Sequence, residues 1–152
     1  MKRSGADAKL VDRIAGDCIA VRVRLINRVI SAVYDEALRP LGIRISQANL
    51  LVAVARMGEA RPVDLCKVLR IEKSTLSRDV EVMKGNGWLE SDPPVGGRNQ
   101  VLRVTPAGRD LLARSRPAWE AAQAEASRLI GAPGVDALKE IAGRLGLGTP
   151  AG

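Results

Sequence analysis

The stretch that decides the fold is residues 62–104, PVDLCKVLRIEKSTLSRDVEVMKGNGWLESDPPVGGRNQVLRV. Pro62 predicts the first turn of a short helix that ends at Leu69, because proline lacks the N–H that this turn would leave unbonded. Residues 70–72 predict a tight break, and a longer helix follows over residues 73–86. Apolar side chains recur in that second helix at spacings of four and three residues, which turns one face toward a core. They are Leu76, Val80 and Met83.

The pattern then changes to one typical of a β-hairpin. Residues 88–91 and 100–104 predict two short strands, and the residues between them, 92–99, are rich in turn formers. Arg98 follows two glycines in this loop, so the backbone there can turn sharply. A short helix, a tight turn, a longer helix and a hairpin, in this order, predict a helix-turn-helix with a wing.

The start of the second helix carries small hydroxyls and cations, the residue types that suit a helix lying in the major groove of DNA. Arg98 in the wing suits the narrow, electronegative minor groove. An ordinary capped helix with a solvated face, and a flexible turn, would explain each feature alone; their combination favours DNA. The candidate DNA-binding residues are Lys73, Ser74, Thr75, Ser77, Arg78 and Arg98.

Long helices flank this winged core. Apolar residues recur at helical spacing over residues 10–39 in two adjacent stripes, which predicts one helix of about thirty residues, ended by Pro40. Its apolar face is wider than one neighbour needs, so we expect a second copy of the chain to pack on it. Packing within one chain, as a lid, is the alternative. The expected dimerisation residues are Val11, Ile14 and Cys18 in this helix, and Leu138, Ile141 and Leu145 near the C-terminus.

Capping residues predict where the other helices begin. Ser46 is the expected cap of a helix that runs to Met57. Thr105 followed by Pro106 predicts the start of a long helix, and a last short helix is expected over residues 135–145. The predicted fold is mainly α, as a single domain over residues 1–152, with a winged helix core at about 45–105 and helical dimerisation regions at 8–40 and 106–147.

Charge and composition narrow the function further. The chain of 152 residues has 24 basic and 17 acidic residues, a net charge of +7, and nearly all of the excess precedes Pro117. This imbalance favours a polyanionic partner, nucleic acid before membrane, although a basic surface kept for solubility would look similar. The absence of histidine excludes Ser-His-Asp and Cys-His catalysis and imidazole metal sites. We therefore expect no enzyme, no metal and no cofactor.

The N-terminus lacks the apolar run of a signal peptide, and no stretch approaches membrane-spanning length. Two cysteines do not make a disulfide framework, which favours a reducing compartment. We expect a cytoplasmic protein with no membrane partner.

Several motifs together resemble the MarR family of regulators, over about residues 10–145. They are Tyr34-Asp35-x-x-Leu38-x-Pro40-Leu41-Gly42, Ile71-x-Lys73-Ser74-Thr75-Leu76-Ser77-Arg78, Gly87-Trp88-Leu89 and Leu102-x-Val104-Thr105-x-x-Gly108. The resemblance implies a homodimer with interlocked terminal helices and two winged heads. It also implies a transcriptional repressor and a crevice for a small aromatic effector, whose residues carry no motif and stay unassigned. A twofold dimer would read a near-palindromic operator in double-stranded DNA. One departure stands out: the family wing often carries Asp two residues before its arginine, where this chain has Gly96.

Three alternatives stay open. Cys18 lies near the position of the reactive cysteine in the peroxide-sensing branch of the family, which would make the chain a redox sensor. Its neighbour Asp17 disfavours the thiolate and Cys18 lies on the apolar stripe, so we expect a buried interface cysteine, and Cys66 in the core. A non-specific architectural DNA-binding protein and a winged helix module that binds protein are the other two.

Overall fold

Seven α-helices and a two-stranded hairpin make up the part of the chain that this computed structural model describes, residues 5–92 and 100–147. In chain order they are α1 (Gly5–Asp17), α2 (Ile19–Leu38), a 3₁₀ turn (Arg39–Leu41), α3 (Ile45–Met57), α4 (Pro62–Leu69), α5 (Lys73–Gly85), β1 (Leu89–Ser91), β2 (Leu102–Val104), α6 (Pro106–Ile130) and α7 (Ala132–Arg144). The expectation of a mainly α fold with one hairpin is confirmed.

One aliphatic core joins α3, α4, α5, the hairpin and the start of α6. The predicted inward faces are confirmed, because Leu76, Val80 and Met83 of α5 are buried. The other buried side chains of this cluster include Leu38, Leu50, Leu51, Val54, Leu65, Leu89, Leu102, Val104 and Leu111. This core holds the two helices of the helix-turn-helix and the hairpin as one unit.

The hairpin is shorter than the sequence predicts. Its strands pair antiparallel, with Leu89 opposite Val104 and Ser91 opposite Leu102. Trp88 falls outside β1 because its N–H donates to the Met83 carbonyl, at 2.9 Å, and so closes the end of α5. Ala60 adds a third strand position beside β2, through two backbone hydrogen bonds with Leu102 of 3.0 and 2.8 Å.

The prediction of a single helix over residues 10–39 is wrong, because the chain breaks at Cys18. This residue is extended, with φ −66° and ψ 114°, and separates α1 from α2. Gly16 and Asp17 precede the break. Glycine is a weak helix former, and an aspartate opposes the negative end of the helix dipole, so α1 ends there.

Two helix starts also differ from the prediction. Ser46 is not the cap of α3, which begins at Ile45. The Ile45 N–H donates instead to Asp35 Oδ1 on α2, at 2.7 Å. A carboxylate from a neighbouring helix therefore accepts a hydrogen bond at the start of α3, where Ser46 was expected to cap the helix. The last helix begins at Ala132 rather than at residue 135, because Pro133 is accommodated in its first turn.

The long helices form a second layer beside the winged core. α2 packs along α6, and α7 folds back on α6. Tyr34 Oη on α2 donates a short hydrogen bond to Gln123 Oε1 on α6. Burial raises the pKa of Tyr34, so this hydroxyl stays protonated and remains a donor. Within residues 5–92 and 100–147, no helix is long and apolar enough to cross a membrane.

Candidate nucleic-acid interface

The turn between α4 and α5 sets the direction of α5. Arg70 caps α4 in the left-handed region, with φ 53°, and the Ile71 N–H donates to the Cys66 carbonyl at 3.2 Å. Leu65 on α4 and Leu76 on α5 are both buried, so the two helices are fixed against the same core. This geometry leaves the opposite face of α5 to solvent.

All five of the predicted helix residues lie on that exposed face. Leu76 between them is 2% exposed, so the division of α5 into a core side and a solvent side is sharp. No side chain in the described part of the chain caps the N-terminus of α5, which leaves first-turn N–H groups for an anion. The exposed residues are Lys73, Ser74, Thr75, Ser77 and Arg78.

Both cations among the predicted helix residues lie in the first half of α5, and the exposed Glu72 directly precedes the helix. Lys73 and Arg78 are the cations there, whereas Glu81, further along, faces Lys84 at 3.9 Å. Arg78 Nε donates to the Ser74 carbonyl at 3.3 Å, which holds the side chain along the helix surface. The terminal NH₂ groups of Arg78 have no partner among the described residues. They are available to form the paired hydrogen bonds that guanine or phosphate accepts.

The wing is only partly described. Arg98 and Gly96 lie outside the described residues, so the predicted contribution of Arg98 stays a prediction. The stem of the hairpin is described, and Arg103 on β2 forms ion pairs there with Glu59, at 2.6 Å, and Asp92, at 2.9 Å. The hydrogen bond from Arg103 lowers the pKa of Asp92, and its two carboxylate partners raise the pKa of Arg103.

This ion-pair cluster has no signature in the local sequence. The side-chain alternation of a strand turns Arg103 away from the buried Leu102 and Val104. No local pattern predicts its partner Glu59, which lies 44 residues away along the chain.

A compact junction links the end of α5, the hairpin and α6. The hydroxyl of Thr105 donates to the Gly87 carbonyl, at 2.6 Å, and accepts from the Gly108 N–H, at 3.0 Å. The Thr105 N–H donates to the Trp88 carbonyl, at 3.1 Å. Gly108 lies so close that a Cβ there would be 2.3 Å from the Trp88 oxygen. The predicted start of α6 at Thr105 and Pro106 is confirmed.

The predicted dimerisation residues are partly to largely exposed in this single chain. Cys18 is half-buried at the break between α1 and α2, and Leu145 lies just after α7. The other four, Val11, Ile14, Leu138 and Ile141, are about half exposed. An apolar cleft of about 490 Å³ lies between α2 and the α6–α7 turn; its lining includes Leu25, Ile26, Val29, Leu129, Leu138 and Ile141.

A second cavity, of about 270 Å³, lies between α2, α3 and α6, where the long helices meet the winged core. No sequence motif marks this site, because its residues come from three separate helices. Trp119 and Arg116 stand at it, and Arg116 Nε donates to Glu120 Oε1 at 2.8 Å. The other lining residues are Leu38, Ile45, Ala48, Asn49, Val52, Leu112 and Ser115. Neither this cavity nor any other part of residues 5–92 and 100–147 holds a cluster of metal ligands.

A helix-turn-helix joined to a hairpin and flanked by long helices defines a winged helix protein. The model of the MarR family matches residues 41–98 of this chain, which cover α3 to the start of the wing. Among curated relatives, the chain is 29% identical over 87 residues to the multiple antibiotic resistance protein MarR of Salmonella typhimurium. That match covers 57% of this chain and 60% of the relative, so it spans less than two thirds of the relative's length.

Two solved structures extend the likeness to nearly the whole chain. A mutant MarR from E. coli complexed with operator DNA has a TM-score of 0.76 at 20% identity, over 88% of this chain and 96% of that one. The M. tuberculosis transcriptional regulator MOSR, in complex with DNA, has a TM-score of 0.72 at 27% identity, over 86% of this chain and 96% of that one. Residues 41–98 thus match the model of the MarR family, and the described part of the chain shares the winged helix fold of these solved regulators.

Proposed function

We propose that this chain is a homodimeric transcriptional repressor that binds a near-palindromic operator in double-stranded DNA and releases it when a small aromatic effector binds. The exposed start of α5 carries the proposal. A helix that presents hydroxyls and cations on one side and is anchored by leucine, valine and methionine on the other is shaped to lie in the major groove. Two similar solved structures, the E. coli MarR mutant and MOSR, are complexes with DNA.

Within α5, the residues differ in what they contribute. Ser74, Thr75 and Ser77 are short, so they allow the helix backbone to approach the base edges closely. Arg78 supplies the specific contact, since its terminal NH₂ groups match the two acceptors on guanine. Lys73, at the N-terminus, adds a phosphate contact beside the open first-turn N–H groups.

The apolar surfaces of α1, α2 and α7 support self-association. Val11 and Ile14 on α1, Leu138 and Ile141 on α7 and the cleft beside α2 would leave a large apolar area in water in a monomer. A twofold dimer covers such surfaces and places two copies of α5 about 34–36 Å apart, one turn of DNA. The operator is then near-palindromic. DNA is the partner, with no membrane involved, and the cytoplasm is the proposed location.

The cavity between α2, α3 and α6 is the proposed effector site. It is lined mainly by aliphatic side chains, and Trp119, about half exposed, offers a flat surface for an aromatic ring. An effector bound in this cavity pushes apart α2, α3 and α6, which meet where the long helices join the winged core. Because the Thr105 junction joins α6 rigidly to the end of α5, a shift of α6 changes the separation of the two reading helices.

The experiment is a selection of duplexes by the purified protein from a random library, followed by titration of the selected duplex against unselected competitor. A repressor of this kind enriches a near-palindrome and prefers it over competitor at physiological salt. Complexes without sequence preference, weakened steeply by salt, would show an architectural DNA-binding protein instead. Peroxide treatment of the protein and its Cys18→Ser variant separates the redox alternative, because only a sensor loses DNA binding in a Cys18-dependent way.

A further inference from the structure

Three charged side chains from separate segments meet at the stem of the wing. Arg103 lies on β2, Asp92 directly follows β1, and Glu59 lies in the turn between α3 and α4. Arg103 Nε and Nη2 both donate to Glu59 Oε1, at 2.9 and 2.6 Å, and Arg103 Nη1 donates to Asp92 Oδ1, at 2.9 Å. One guanidinium therefore joins both sides of the hairpin to the turn before α4.

The backbone beside this cluster is bonded in the same arrangement. Ala60, next to Glu59, and Leu102, next to Arg103, exchange two backbone hydrogen bonds. The ion pairs therefore lie beside the short three-stranded contact of Ala60, β2 and β1, where the hairpin leaves the core. A planar guanidinium can hold two carboxylates in fixed directions at once, which the single ammonium of lysine does less well.

The charge of this cluster argues against direct contact with DNA. Two carboxylates face one arginine, so the site as a whole is negative, and each of the three guanidinium nitrogens already donates to a carboxylate. The carboxylates would also repel a nearby phosphate. A role in holding the hairpin fits this arrangement better than a role in binding the DNA backbone.

We infer that Arg103 is a positioning residue: bridged to Glu59 and Asp92, it holds the wing stem in the orientation in which the wing reaches DNA beside α5. This inference rests on the proposed function. The residues at the wing tip follow directly after Asp92, so the direction of the stem sets where they can reach.

Net charge and the positioning role predict opposite changes in DNA affinity when the two carboxylates are neutralised. Replacing Glu59 and Asp92 by Gln and Asn removes two negative charges, which on net charge alone would tighten binding to DNA. The positioning role predicts the reverse: the double variant binds the duplex selected by the wild-type protein about fivefold more weakly. Fluorescence anisotropy with the labelled duplex measures the affinity. Equal or tighter binding would overturn the inference.

Arg103→Lys provides a second, independent variant. Lysine keeps the positive charge but lacks the planar guanidinium that bonds two carboxylates. We therefore expect a loss of DNA affinity similar to that of the double variant. Wild-type affinity would contradict the positioning role. Asp110→Asn is the matched control, because Asp110 makes an exposed ion pair of 2.8 Å with Arg114 on α6, away from the wing. If the double variant melts early, Asp92→Asn alone replaces it. A wild-type protein that selects no duplex would refute the proposed function, whereas normal selection with unaffected variants refutes only this inference.

Discussion

Replacing Gly108 by alanine tests the junction that fixes the winged head to α6. The new Cβ would lie 2.3 Å from the Trp88 carbonyl oxygen and 2.8 Å from Val104 Cγ1. The oxygen belongs to the backbone and accepts a hydrogen bond from the Thr105 N–H, so it cannot move away without losing that bond. Overpacking of this kind costs about 1–3 kcal/mol. The better helix propensity of alanine returns up to about 1 kcal/mol, but does not remove the clash.

For a chain of this size, each kcal/mol corresponds to about 2–4 °C in melting temperature, so Gly108→Ala is expected to melt several degrees below the wild type. The assay is thermal unfolding by circular dichroism at a fixed protein concentration, because a dimer's melting temperature depends on concentration. Gly85→Ala at the end of α5 is the matched control: no atom lies within 4 Å of its added Cβ, so its melting temperature should stay equal or rise. A Gly108→Ala protein as stable as wild type would refute the described junction.

Three further predictions concern DNA, the dimer and pH. Arg78→Ala should weaken binding to the selected duplex by about 1–3 kcal/mol and relax the preference at one base position. The control Arg114→Ala, on α6, should do neither. Fluorescence anisotropy with single-base variants of the duplex measures both effects. Ile141→Glu should convert the dimer to a monomer in analytical ultracentrifugation, since a charge cannot be buried unpaired; a persisting dimer would exclude α7 from the interface. The pKa of Asp92 in the folded protein lies below its ordinary value of 3.8. The ionised carboxylate therefore stabilises the fold fully above pH 3.8, and this stabilisation is lost as the pH falls through the pKa of the folded protein. The melting difference between wild type and Asp92→Asn should therefore shrink toward pH 3, and a difference that grows on acidification would contradict the ion pair.

The winged core could be predicted closely because its signals are local. Pro62 and Leu69 bound α4 as expected, and the spacing of Leu76, Val80 and Met83 placed the core side of α5. Each of these depends on residues within one or two helical turns. The same periodicity also predicted which residues of α5 face solvent, and hence the candidate interface.

The features that the sequence did not reveal depend on distant partners or on small energy differences. The break at Cys18 has no proline to mark it and results from weak helix formers at the end of α1. At the start of α3 the Ile45 N–H is bonded by Asp35 on another helix and the Arg44 N–H by Gln47, so the local preference for Ser46 was misleading. The Arg103 cluster and the cavity beside Trp119 exist only once segments far apart in sequence come together.

The central claim is that two copies of α5 lie in neighbouring major grooves. The most direct measurement attaches an iron chelate to Thr75→Cys, in a protein whose Cys18 and Cys66 are replaced by serine, and maps where it cleaves the selected duplex. The account predicts two cleavage sites about ten base pairs apart, each centred on a major groove. A bound duplex that is not cleaved, or is cleaved at one place only, would contradict it.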